Sequence, residues 1–482
     1  VKNQNKTPLF DAMKEYHKNQ IIPFDVPGHK HGRGLAEFGK YFGSRILELD
    51  VNSMKCLDNI SNPVGVIKEA EELMAEAYSA DHAFFLVNGT TAGVQAMILS
   101  ACMPGEKIIL PRNAHKSAIN GLIISGAVPV YLQPEIDDRL GISLGVTVES
   151  VEKAIIENPD AKAVFIINPT YYGIVSDIKR IIEIAHGHGM AVLLDEAHGA
   201  HFNFNEELPM SGLSAGADMA AASLHKTGGS LTQSSVLLMN DGLIDPVRVK
   251  TNLNLMQTTS ASYLLMGSLD LARKNLAVDG KSELRRTIEL ARKARKAING
   301  MPGLYAFGDE MVGRPGVYGF DETKLGIHFA DAGISGLEAY YILREEFGIQ
   351  LELGDAYNAL AVLSIGDRSE DIDKLLEALE KILDGERGEK LPYVKKILHN
   401  PDVIVAPRNA FFSRKKRVPL KDSTGEISGE SIMSYPPGIP IVVPGERITL
   451  QMIEHIAFLK RENGLITDAS DPDVETIMVL GN

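Results

Sequence analysis

Lys226 stands in the run AASLHKTGG, directly after a stretch that reads as a buried strand and just before two glycines. An ammonium at a strand end must find acceptors or give up its proton, and a lysine with a lowered pKa is a nucleophile for Schiff-base chemistry. A surface lysine that happens to follow a strand is the plain alternative, so other residues must decide. Asp195 ends the run MAVLLD and opens DEAHGAH, at the C-terminal end of a strand, where ligands of parallel α/β sheets bind. The third cluster is LVNGTTAG, Leu86 to Gly93, in which Gly89, Thr90 and Thr91 carry a strand into a helix. Backbone amides at a helix start plus two hydroxyls suit a phosphate group. Threonine at a helix start is also ordinary capping chemistry.

Two other chemistries fit less well. DEAH occurs in nucleoside triphosphatases, which need a GxxxxGK[ST] loop. The nearest text, Gly280-Lys281-Ser282, has Asn275 where the first glycine belongs. His198 and His201, with Gly199 and Ala200 between them, lack the carboxylate or cysteine partners usual for zinc, so no metal is expected. A phosphate cradle, a carboxylate and a Schiff-base lysine are together what pyridoxal 5'-phosphate (PLP) requires.

These clusters need strand ends to sit on. Seven short apolar runs alternate with helical periodicity: 83–87, 107–110, 128–132, 163–167, 190–194, 218–222 and 235–239. That pattern predicts a mainly parallel sheet covered on both faces. After about residue 260 the character changes, with basic or amphipathic helices expected at 282–299, 335–347 and 369–383 and strands at 326–329 and 361–364. The expected division is an N-terminal arm at 1–65, a large α/β domain at 66–275, a smaller α+β domain at 276–390 and a C-terminal segment at 391–482. The last is read as proline-rich loop leading to a helix at 449–463.

Composition narrows the classes further. The 482 residues are 44% hydrophobic and 23% charged, ordinary values for a globular protein, and the apolar runs are far shorter than a membrane span. With 49 basic and 63 acidic residues the chain carries −14, which repels nucleic acid unless a basic patch intervenes. The one dense run, SRKKR at 413–417, reads as a solvated loop. Two cysteines, Cys56 and Cys102, give no disulfide framework. A cytoplasmic protein with a small-molecule substrate, no nucleic acid and no membrane partner is expected.

The chain also resembles a known family through a series of blocks: PGHKHG at 27–32, NGTTAG at 88–93, RNAHKS at 112–117 and NPTYYG at 168–173. The series continues with DEAHGAH at 195–201, SLHKTGG at 223–229, QTTSAS at 257–262 and YPPGIPIVVPGE at 435–446. It is similar to the compact Orn/Lys/Arg decarboxylases of the aspartate-aminotransferase fold, PLP fold type I. The resemblance implies that Lys226 holds the cofactor covalently, Asp195 meets the pyridine nitrogen and His115 stacks on the ring. It places Gly89, Thr90, Thr91, Ser223 and His225 at the phosphate, Ala197 against the opposite ring face and His198 near the phenolic oxygen. Thr259 would reach the cofactor of the other subunit of a homodimer, unless it caps a helix starting near Ala261. The implied reaction is α-decarboxylation of a basic amino acid, arginine to agmatine and carbon dioxide ahead of lysine or ornithine, with an aminotransferase or aldolase of the same fold, or a non-catalytic PLP-binding homologue, as the alternatives. A planar guanidinium suits paired carboxylates. Glu430 and Glu446 are the first candidates to meet it, with Glu352 and Asp355 behind them, and a solvated or structural role is the alternative for each.

Overall fold

The computed structural model describes residues 2–385, 389–392, 401–435, 438–461 and 465–481. Pro436 and Pro437 of the YPPGIP block, and the expected end of the last helix at Asn463, lie outside them. The large sheet is built from β1 (His82–Leu86), β2 (Lys107–Pro111), β3 (Val128–Leu132), β4 (Ala163–Ile167), β5 (Ala191–Glu196), β6 (Met219–Ala222) and β7 (Ser235–Met239). Its seven strands run in the order β1-β7-β6-β5-β4-β2-β3. Nearly every residue of β5, β6 and β7 is buried, which is why these strands read as continuous apolar runs rather than alternating ones.

The chain divides into two compact units. The first comprises Val1–Ala96 and Glu196–Arg285. Here β1 and β6 both pair antiparallel with β7. The reversed middle strand brings the C-terminal ends of its neighbours to one edge: Leu86 faces Ser235, and Ala222 faces Val236. NGTTAG and SLHKTGG therefore leave the sheet close together. A Cβ on Gly93 would lie 2.8 Å from Leu86 Cδ1 and 3.1 Å from Ala221 Cβ, so only glycine lets the helix Gly89–Ala101 lie this close to the strands.

The same unit holds the N-terminal segment. Leu9 and Phe10 N–H donate to Asp270 Oδ2 at 3.0 and 3.3 Å. Arg273, ion-paired with Asp270 at 2.5 Å, donates to the carbonyls of Gln4 and Lys6. Both charged side chains are fully buried, and these backbone partners offset part of the desolvation cost of such a pair, although Arg273 Nε makes no hydrogen bond among the described residues. Asp270 and Arg273 sit on the helix Tyr263–Ile298, 36 residues long. The sequence predicts its second half, and a helix starting near Ala261 only as the capping alternative for Thr259, because Gly267 and Gly280 weaken the helical pattern. Tertiary packing overrides propensity here: a Cβ on Gly267 would meet Met13 Sδ at 2.9 Å and one on Gly280 would meet Phe204 Cβ at 3.2 Å.

The second unit comprises Met97–Asp195 and Arg286–Asn482. In it β5, β4, β2 and β3 are parallel neighbours. A second, antiparallel sheet is formed by Tyr305–Ala306, Lys324–His328, Asn358–Val362 and Leu353–Gly354. The helices Gly336–Phe347 and Ser369–Asp384 contribute Ala339, Leu343, Leu375 and Leu379 to a core shared with Leu325, Ile327 and Ala359 of that sheet. The C-terminal segment departs from the loop-rich expectation. Ile432–Tyr435 pairs with Ile439–Val442 and Leu465–Thr467, and Lys415–Pro419 pairs with Thr476–Leu480, around a core that includes Ile432, Val442, Ile448, Ile456 and Ile477. Its prolines hid this, since they obscure short strands. SRKKR is thus largely a strand rather than a free loop. Lys416 and Arg417 are exposed on it, and charge along a short strand discourages pairing with other chains.

Glu71, on the helix Val66–Ala77, is only 2% exposed and accepts the N–H of Phe85 in β1 at 3.0 Å. Burial pushes its carboxyl up to about 7, against the opposing pull of Lys250. The folded state thus holds a proton that the unfolded chain releases above about pH 4.5. The stability from that proton is complete below pH 4.5 and is lost as pH rises through about 7, a change of up to about 3 kcal/mol. Glu71→Gln keeps the acceptor for Phe85 without the titration. Urea unfolding of both proteins from pH 5 to 7.5 should show the difference moving steadily in favour of the variant, whereas parallel curves would contradict the assignment.

Candidate active site

In the first unit the loop after β1 is held from below by Gln257. Its Oε1 accepts Val87 N–H at 2.8 Å and its Nε2 donates to Phe85 O at 3.1 Å, while Asn88 Nδ2 donates to Met256 O. Gly89 turns the chain at φ +71° into the helix Gly89–Ala101, a backbone conformation that favours glycine. Thr90, 8% exposed, hydrogen-bonds Ser223 Oγ and donates to Ser235 Oγ at 3.0 Å. The two hydroxyl-bearing clusters read from sequence therefore meet. Thr91, one residue on, is exposed.

Ser223 follows β6, and the chain turns at once into the short helix Leu224–Thr227. Lys226 is half-buried on this turn, and its Nζ lies 2.8 Å from His198 Nε2. An ammonium there donates, so Nε2 accepts and the ring proton of His198 sits on Nδ1. His225 Nδ1 lies 2.8 Å from the carbonyl of Ser234. A carbonyl can only accept, so Nδ1 carries a proton and Nε2 is left to face other partners. His198 and Ala197 follow Glu196, whose Oε1 accepts Gly212 N–H at 2.8 Å and whose carbonyl accepts from Gly199. This short turn fixes where the two residues after β5 stand. Thr259 is exposed, and the helix that follows begins at Tyr263 with Ser262 Oγ accepting Leu265 N–H. The capping alternative for Thr259 is thereby excluded, because Ser262 takes that position.

In the second unit, Asp195 is 6% exposed at the end of β5, opposite Ile167 of β4, and its carbonyl accepts Asn168 N–H at 2.9 Å. His115 caps the helix Lys116–Ser125: its Nδ1 accepts Ser117 N–H at 3.2 Å and lies 2.8 Å from Ser117 Oγ. Accepting a backbone N–H leaves the ring proton on Nε2.

The four acids expected to meet the substrate are all engaged by the chain. Both oxygens of Glu430 accept backbone N–H groups, from Met478 at 2.6 Å and Ser470 at 2.8 Å. Glu446 is fully buried and ion-paired with Arg112 at 2.9 Å, and it also accepts Val443 N–H. Burial pushes its carboxyl up to about 7, with Arg112 opposing. Glu352 accepts from Tyr171 and Asp355 from Tyr172, both in NPTYYG. Asp355 Oδ1 also accepts Tyr357 and Asn358 N–H groups. Glu352 is the exposed one of the four.

Three contributors escape a reading of the sequence: Gln257, Ser235 and Arg112. Gln257 opens the QTTSAS block and Arg112 opens RNAHKS, so their motifs were visible and only their partners were not. Among the described residues no group of three His, Cys, Asp or Glu side chains is placed to hold a metal ion, and no helix is long and apolar enough to cross a membrane. The donor set does fit PLP: two buried hydroxyls beside a glycine turn at a helix start suit a phosphate, and an amine hydrogen-bonded to an imidazole stands on the turn directly after Ser223.

Known proteins match the chain along nearly its whole length. The family model for the Orn/Lys/Arg decarboxylase major domain matches residues 7–371, and that for the C-terminal domain of the same family matches residues 394–466. The chain is 43% identical over 483 residues to an arginine decarboxylase of Bacillus subtilis, covering 99% of this chain and 98% of the relative. It is 44% identical over 484 residues to an arginine decarboxylase of Halalkalibacterium halodurans, covering 100% and 98%. Among solved structures, the lysine decarboxylase of Francisella novicida gives a TM-score of 0.84 at 20% identity over 98% of this chain and 81% of that one, a likeness of fold. The α/β sheet, the clusters at its strand ends and the full-length match agree: this chain belongs to the Orn/Lys/Arg decarboxylase family of enzymes.

Proposed function

We propose that the chain is a PLP-dependent α-decarboxylase that converts arginine to agmatine and carbon dioxide. The observation that carries this reading is the placement of Lys226 Nζ against His198 Nε2 on the strand end beside the Thr90–Ser223 hydroxyl pair. When bound, PLP supplies an aldehyde that condenses with an amine and a cationic ring that takes up the electron pair left as carbon dioxide departs. Lys226 provides the amine that anchors it, and the hydrogen bond to His198 gives Nζ a partner to pass a proton to or take one from. Thr90, Thr91, Ser223 and His225, with the amides that open the helix at Gly89, would hold the phosphate. By the family resemblance, Asp195 would keep the proton on the pyridine nitrogen, His115 would stack on the ring and Ala197 would pack on its opposite face. The preference for arginine is supported by the 43–44% identity to two proteins named arginine decarboxylases.

A homodimer with shared sites belongs to the same proposal. The segment after the first helix exposes Ile22, Phe24, Tyr41 and Phe42, at 73%, 94%, 84% and 58%. Apolar groups in such number on one segment mark an interaction surface more often than free surface. Thr259, exposed and with no helix to cap, is then available to a second copy's cofactor.

Incubation with arginine, lysine and ornithine separately, followed by identification of the amine, should give agmatine fastest. Cadaverine or putrescine formed faster under matched conditions would overturn the substrate, and a keto acid would overturn the reaction class. Lys226→Ala should lose turnover by several orders of magnitude with the fold retained, because no other amine replaces the anchor. For the shared site, Lys226→Ala and Thr259→Trp chains, each inactive alone, are co-expressed and mixed dimers purified. A shared site leaves one centre free of both lesions, so activity should return. Mixed dimers that stay inactive would assign Thr259 to its own chain.

A further inference from the structure

Arg112 follows β2 and is 4% exposed. Nη1 donates to Pro440 O at 2.9 Å, and Nη2 donates to Ile441 O at 3.2 Å and to Glu446 Oε2 at 2.9 Å. Glu446 is brought inward by a tight turn at Gly445, φ +91°, where a Cβ would come within 1.9 Å of Val405 O. The same carboxylate oxygen accepts Val443 N–H. One buried cation thus clamps both ends of the 440–446 segment to the start of RNAHKS. Three residues further along RNAHKS stands His115, and the clamped segment reaches it. Lys116 N–H donates to Gly438 O at 3.1 Å, and a Cβ on Gly438, φ +95°, would lie 3.4 Å from His115 Nε2. The C-terminal segment therefore lies against the nitrogen that carries the His115 proton.

The pair is poorly suited to stabilising the fold for its own sake. Arg112 Nε and Glu446 Oε1 are buried and make no hydrogen bond among the described residues, and a buried ion pair left partly unsatisfied contributes little net stability. What it does supply is a single register for the segment, since three acceptors must meet one planar guanidinium at once.

We infer that Arg112 and Glu446 form a latch that seats the 438–446 segment on His115, so that Glu446 is a positioning residue for His115 and not a ligand of the substrate's distal cation. The inference rests on the proposed role of His115 at the cofactor ring, but its first test does not. Hydrogen exchange by peptide mass spectrometry is measured on cofactor-free protein for wild type, Glu446→Gln and Arg112→Met. In both variants, exchange across 112–118 and 438–446 should speed up by about tenfold or more, while the strand Lys324–His328 keeps its wild-type rate. Unchanged exchange would remove the latch, and a control strand that opens equally would make the pair a general stability element and overturn the local role.

The second arm uses the PLP-loaded protein with arginine. A displaced His115 should lower kcat by about tenfold with KM within about twofold, and alter the visible circular dichroism of the bound cofactor. A rise in KM alone, with kcat and the spectrum intact, would return Glu446 to the substrate. If the wild type decarboxylates no basic amino acid, the proposed function fails by itself and the exchange result still decides the latch.

Discussion

A lysine amine that is to act must be held at a strand end within reach of a group that can exchange a proton with it, and this structure places an imidazole there. Lys226 is confined to a four-residue helical turn, so its reach is set by where β6 stops. His198 sits two residues beyond the end of β5, on a turn that Glu196 pins through Gly212. An imidazole can accept a proton or give one back, whereas a carboxylate would hold the ammonium charged. The placement of strand ends thus decides the chemistry, and the strands themselves are positioned by ordinary apolar burial.

The surroundings of that amine are built from chain segments distant in sequence. Thr90 and Ser223 are separated by 133 positions, yet they touch because β7 runs backwards between β1 and β6. Gln257 supports the Gly89 turn from 168 or more residues away through two backbone contacts of β1 and its exit. In the second unit, NPTYYG is tied to the small sheet through Tyr171 to Glu352 and Tyr172 to Asp355, and RNAHKS is tied to the C-terminal segment through Arg112. These motif blocks are thus also docking points for other parts of the chain.

Much of this was legible in the sequence because short, fully apolar runs alternating with helices read as strands buried on both faces. All seven strands of the large sheet fall within one or two residues of the expected positions. The reversal of β7 was not legible, since antiparallel and parallel buried strands have the same composition. The roles of the acids were not legible either. Glu430 and Glu446 read as charges beside a conspicuous block, and only coordinates show that backbone amides and Arg112 already occupy them. The helix Tyr263–Ile298 was half hidden by two glycines whose purpose is close packing, a tertiary fact. The C-terminal strands were masked by prolines at their edges.

The proposed chemistry requires Lys226 to be the residue that carries PLP. Loading the protein with PLP, reducing it with borohydride and mapping the peptides by mass spectrometry tests this directly. One phosphopyridoxyl group per chain, on Lys226, is the expected result. A label on any other lysine, or no stable label at full cofactor loading, would contradict it.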